Sequence, residues 1–128
     1  MAQFETTTIT GNLLDAVLKN TSVQYFDSTT VNTLNYTNGS VQRWAPTGTP
    51  TLSIINWPAT GSLAELLIRG VNLGAISILW PTVNWVKSDG TFTTTFSLNG
   101  VTLQAAGTDF ILLWTDDGGT TVYGKVLR

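Results

Sequence analysis

The chain is 128 residues long, about one domain's worth, with 42% apolar but only 11% charged residues, where soluble proteins usually carry about 25%. Its polarity comes instead from 23 Thr, 9 Asn and 8 Ser, and it has neither cysteine nor histidine. Those two absences exclude disulfides, thiolate nucleophiles, zinc–cysteine sites, Ser-His-Asp triads and imidazole ligands. With a net charge of −2 and only six scattered basic residues (Lys19, Arg43, Arg69, Lys87, Lys125, Arg128), no stripe exists to neutralise phosphates, and nucleic acid is not an expected partner.

Residues 1–10 hold three consecutive threonines, with Phe4 and Ile9 as the only anchors. They read as an extended arm, fit to fray or to add to the edge of another sheet. The start lacks the basic residues and apolar stretch of a signal peptide, and no apolar run approaches the ~20 residues of a membrane span. Within residues 12–19, Leu13, Leu14, Val17 and Leu18 fall at helical spacing, with Asn12 as N-cap and Asp15 at N3. β-formers continue from Val17 to Phe26, so helix and strand both stand for this segment. The arm is assigned to residues 1–30.

From there the β signal repeats. Residues 30–36, 40–44 and 122–127 alternate in part between apolar and polar, as half-buried strands do, while 51–55, 75–80 and 109–114 are short apolar runs rich in branched or aromatic residues. Turn signals recur at Asn38-Gly39, Thr60-Gly61, Asp89-Gly90, Asn99-Gly100 and Gly118-Gly119. Asn-Gly and Asp-Gly suit hairpins whose two central residues take positive φ. Strands at about ten-residue spacing predict an all-β fold: an antiparallel β-sandwich or jelly roll over 31–128, behind an extended arm that includes one short helix if 12–19 is helical.

Carboxylates are the remaining acid–base groups. Asp116 and Asp117 are adjacent, with Asp109 nearby, but glycoside hydrolysis needs two carboxyls about 5–10 Å apart across a sugar, which neighbours in a tight turn do not provide. The preferred reading is a turn whose Asp side chains bond local backbone N–H groups. Thr115, Asp117, Gly119 and Thr121 also resemble the Asp-box hairpin of sialidases and related proteins, a structural rather than catalytic element there. Ser88-Asp89-Gly90 and Asp116-Asp117-Gly118 lack the ligand ladder of an EF-hand, so no metal or other cofactor is expected. Glycosylation sequons at Asn20, Asn35 and Asn38 are what so much Asn, Ser and Thr produces by chance. For the five tryptophans core packing is the leading reading, above all for Trp114 inside an apolar run. Trp57 and Trp80, each before a proline after a β run, are expected at a rim or subunit contact, with a sugar-stacking platform as the other reading.

From residue 38 onward the chain resembles a domain of tailed-bacteriophage virion proteins. The resemblance rests on four pieces in order: Asn38-Gly39-Ser40-Val41-Gln42, Asn56-Trp57-Pro58-Ala59-Thr60-Gly61, Trp80-Pro81-Thr82-Val83-Asn84-Trp85, and the stretch from Asp109 to Gly124 with its Asp-Asp-Gly-Gly-Thr-Thr core. The family usually has Lys before the second Trp and Pro-Gly-Gly after it, where this chain has Asn84 and Val86-Lys87-Ser88-Asp89-Gly90. Val122 also stands where an aromatic is common.

The resemblance implies a non-enzymatic virion protein. In long fibres such a domain follows a shaft, whereas the residues before position 38 hold no coiled-coil or collagen-like repeat. The expectation is therefore a capsid decoration (cement) protein on the outer surface of the virion. Its expected partners are the major capsid protein and its own copies, as a homotrimer, with Phe4, Ile9, Trp57 and Trp80 as interface residues. The alternative is a tail-fibre or tail-associated module that recognises host surface polysaccharide.

Overall fold

The computed structural model describes residues 25–29 and 31–127. Among the described residues nine strands form two sheets: β1 (Tyr25–Thr29), β2 (Thr33–Asn35), β3 (Val41–Trp44), β4 (Ser53–Ile55), β5 (Ala64–Val71), β6 (Asn84–Val86), β7 (Phe92–Thr93), β8 (Thr108–Thr115) and β9 (Tyr123–Val126). The large sheet runs β1-β3-β5-β8-β9-β6-β7, and β2-β4 form a small second one. The all-β expectation holds. The residues expected to form the arm end inside the large sheet, because Tyr25–Thr29 pairs with β3 as its edge strand. The segment 12–19, Phe4 and Ile9 lie outside the described residues.

The spine is the antiparallel pair β5–β8, eight residues each, in register from Ala64↔Thr115 to Val71↔Thr108. Period-2 alternation turns Ala64, Leu66 and Ile68 of β5 and Asp109, Ile111, Leu113 and Thr115 of β8 to one face, where all are buried. Trp44, Val83, Trp85, Val122 and Val126 complete that face with Leu34, Leu52 and Leu73 from the segments above it. Two inward glycines make room: a Cβ on Gly70 would overlap Leu73, and one on Gly124 would stand 2.8 Å from Trp85 Cζ3. A covering layer carries β2, β4 and the partly buried Tyr36, Ile54, Trp57, Ile78, Trp80, Phe96, Val101 and Leu103. Gln42, fully buried, ties this layer to β3 by donating from Nε2 to the carbonyls of Asn35 (2.7 Å) and Gly39 (2.9 Å).

The pairing corrects the antiparallel expectation. β5–β8, β8–β9 and β6–β7 are antiparallel, but β1–β3, β3–β5, β6–β9 and β2–β4 are parallel. Parallel neighbours need long crossovers, and here the chain leaves the large sheet after β3, visits β4 in the covering layer and returns as β5. The turn glycines 39, 61, 90, 100, 118 and 119 do take positive φ, but Asn38, Asp89 and Asn99 do not. Asn38 and Asn99 instead close single turns of 3₁₀ helix at Tyr36–Asn38 and Phe96–Leu98. Residues 75–80 also differ from expectation. They begin in the last residue of a 3₁₀ turn, Leu73–Ala75, and join a strand ladder only through the isolated Thr51↔Leu79 bridge, since Trp80-Pro81 ends the run and Pro81 brings no donor.

Candidate functional site

Two of the carboxylates, Asp117 and Asp89, are engaged in turns. The Thr115 hydroxyl donates to Asp117 Oδ1 (2.9 Å), which also accepts the backbone N–H of Thr121 (2.8 Å), while the Gly119 N–H donates back to Thr115 Oγ1 (3.1 Å). The Thr121 N–H first, then the Thr115 hydroxyl, hold the Asp117 carboxyl below its ordinary range. Asp89 is lowered in the same way by the Thr91 hydroxyl (2.6 Å) and backbone N–H (3.0 Å). Buried Asp109 accepts the backbone N–H of Gln104 at 2.7 Å. The structural-hairpin reading of the 115–121 stretch therefore holds, and it joins β8 to β9. Among the described residues no three acidic side chains cluster as a metal site.

Trp57 and Trp80 are both half-buried, in separate clusters of the covering layer. Trp57 stands 5.4 Å from Tyr36, ring to ring, and forms one wall of a 200 Å³ hollow with Ile54, Pro81, Thr82 and Val122. Beside it Asn56 takes a left-handed conformation (φ 61°) and donates to Asn35 Oδ1 at 3.1 Å. Trp80 stacks on Phe96 (4.5 Å, 14°) and meets Trp85 and Trp44 edge-on at 5.3 and 6.3 Å. It borders an open groove of about 500 Å³ that Ile76, Ile78, Phe96, Val101 and Leu103 continue.

Trp114 departs from expectation. It lies half-buried on the side of the large sheet opposite the core, because Ile111, Leu113 and Thr115 occupy the inward phase of β8. There it stacks with Tyr123 (5.9 Å, 22°), which in turn meets Phe92 (5.4 Å). The same outer face carries Val41, Leu67, Phe110, Leu112 and Leu127, and Phe110, Leu127 and Phe92 are 42%, 45% and 56% exposed. Val41, Leu63, Glu65, Leu67 and Leu112 line a hollow of about 360 Å³ on it. Among the described side chains, the charges on its strands include Glu65 and Arg69 on β5, Arg43 on β3 and Lys125 on β9. This surface was missed at the level of sequence, yet β8 carried its signal. Phe110, Leu112 and Trp114 are apolar in the phase opposite Ile111 and Leu113, the pattern of a strand covered on both faces.

No protein-family model, curated protein or solved structure matches the chain.

Proposed function

We propose that the protein is a bacteriophage capsid decoration protein: a non-enzymatic component that binds the outer shell of the virion as an oligomer and stabilises it. The observation that carries this reading is the presence of two aromatic, apolar surfaces on opposite sides of one sheet. One is the outer face with Trp114, Tyr123 and Phe110, and the other is the groove beside Trp80 and Phe96 in the covering layer. Contiguous apolar surface of this kind marks contacts with other proteins, and two such surfaces suit a component that joins its own copies to the major capsid protein. A partner that binds only the assembled shell stabilises it by linkage. The test is co-sedimentation of the purified protein with undecorated capsids of the source phage, followed by thermal release of the genome. Binding at hundreds of copies per shell with a raised release temperature is expected. Absence from the shell, with density only at the tail tip in cryo-microscopy of the virion, would sink the proposal.

A second reading, a tail-associated module for host surface polysaccharide, has its own observation. Half-exposed Trp57 lies beside Tyr36 with the Asn35 and Asn56 amides next to it, an aromatic and amide surface of the kind that stacks on and hydrogen-bonds to sugars. Glycan-array binding lost in Trp57→Ala, with the fold intact, is its signature.

A further inference from the structure

The outer face of the large sheet is apolar at its centre, and among the described residues no element covers it. We infer that a second copy of this chain covers it, sheet against sheet, about a twofold axis that lies between the sheets and across the strands at the level of Leu67 and Leu112.

Three observations point to a second copy. The first is charge. On β5 the outward residues run Glu65, Leu67, Arg69, Val71, so one acid and one base flank Leu67 at equal distances. The twofold turns β5 of one copy over β5 of the other with its direction reversed, which places each Glu65 against the partner's Arg69. Threefold packing with aligned strands would instead bring three Arg69 side chains to one level. The second is shape. The same operation sets Leu112 against its counterpart and Phe110 against the partner's Trp114, beside the hollow lined by Val41, Leu63, Leu67 and Leu112. Two sheets stacked in this way are the common means of burying an open β face, at ~10 Å separation and about −30°. Lys125 stands in register with Leu112 on the inner strand β9, so the twofold brings it near its own counterpart; this is the unfavourable element of the contact, and the long stems let the two ammonium groups part toward solvent. The third is area. At ~3.4 Å per residue and ~4.8 Å between strands, the strands of the large sheet span on the order of 550 Å² in plane. Once the relief of the side chains is added, this approaches the ~800 Å² per partner of a standard interface.

The inference deepens the assembly reading above and rests on it only for the idea that copies associate; it does not depend on a shell as partner, so the two fail separately.

The test is the mass of the full chain in solution, without capsids, by light scattering coupled to size exclusion. Twice the 13.8 kDa of one chain is expected. Leu112→Glu should give a monomer with unchanged circular dichroism. Glu65 and Arg69 lie ~14 Å apart along their own strand and cannot pair with each other within one chain; because Arg69 also stands opposite Arg43 across β3–β5, the charge swap is read on the mass of the dimer and not on stability. Glu65→Arg alone and Arg69→Glu alone should each weaken the dimer at least tenfold, and the two together should restore it. A wild-type monomer, a trimer, a dimeric Leu112→Glu variant, or a double swap no tighter than the single ones would overturn the proposal.

Discussion

Trp57 rests on Gly119. A Cβ at Gly119 would overlap Cδ1 of the indole and stand 3.0 Å from its Cγ and Nε1, and Gly119 itself takes φ 88°. The turn between β8 and β9 thus fixes the tryptophan of the covering layer through a position only glycine fits.

Gly119→Ala therefore combines two costs, a left-handed backbone and a displaced indole. Left-handed strain on a non-glycine residue costs about 1–3 kcal/mol, and moving Trp57 adds to it. A melting temperature lower by on the order of 10 °C is expected. Gly90 has a similar φ of 84° with nothing within 4 Å of the added Cβ, so Gly90→Ala isolates the backbone cost and should lower the melting temperature clearly less. Equal losses in the two variants would show that the Trp57 contact contributes nothing.

The Asp117 carboxyl lies below its ordinary value of 3.8 because Thr121 N–H and the Thr115 hydroxyl bond its charged form. A folded-state pKa below the unfolded one means stability that is fully present above the unfolded value and is lost as pH falls through the folded one. Denaturation midpoints should therefore be level from neutral pH down to about 5 and fall below about 4. Asp117→Asn keeps an oxygen for the Thr121 N–H but has no charge to titrate, so its midpoint should start lower at neutral pH and fall less steeply in acid. A variant curve parallel to the wild type throughout would remove Asp117 from the acid transition.

Turn positions were legible in the sequence, because positive φ selects glycine, and β8 was legible as a strand from its branched and aromatic run, but its inward phase was not, since Phe110, Leu112 and Trp114 are as apolar as Ile111 and Leu113. The strand β5 was not legible, although it is the partner of β8 over eight residues. Glu65 and Arg69 interrupt its apolar run, and Leu66, Leu67 and Ile68 in succession hide the period of two. Parallel pairing escaped for a different reason: crossovers such as that from β3 to β5 follow from contacts far apart in the chain, and no local residue encodes them. The same gap misplaced Trp114. Sequence put an aromatic among aliphatic residues into the core, but one residue of strand phase decides which side of a sheet a side chain takes. Trp57 and Trp80, expected at a rim or subunit contact, are half-buried in the covering layer, and the Phe96 and Tyr36 rings that hold them come from 3₁₀ turns with no β pattern to mark them.

The two faces of β8 can be told apart with adjacent residues. Leu113 is fully buried and Leu112 half-exposed. Leu113→Ala should cost about 2–5 kcal/mol, the range for truncating a packed core leucine. Leu112→Ala, measured by urea denaturation at low protein concentration where copies dissociate, should cost less than about 1 kcal/mol. Comparable losses at both positions would mean that the outer face is buried within the single chain.

Gly124 tests how tightly the sheet and the Trp85 ring are fitted. Its added Cβ would stand 2.7 Å from Val83 Cγ1, 2.8 Å from Leu113 Cδ2 and 2.8 Å from Trp85 Cζ3. All three neighbours are fully buried, so none can swing into solvent. Gly124→Ala should therefore destabilise by about 1–3 kcal/mol as overpacking, although alanine normally gains over glycine through the unfolded chain by about 0.4–1 kcal/mol. Val83→Ala alone opens a cavity and should also destabilise, by roughly 1–3 kcal/mol. Together they should cost less than the sum, because removing Val83 Cγ1 vacates the space the new methyl enters. Residues in contact couple by about 0.5–3 kcal/mol, and a double-mutant cycle from urea denaturation reads that term directly. Strict additivity would show that Trp85 or Leu113, rather than Val83, sets the limit at Gly124.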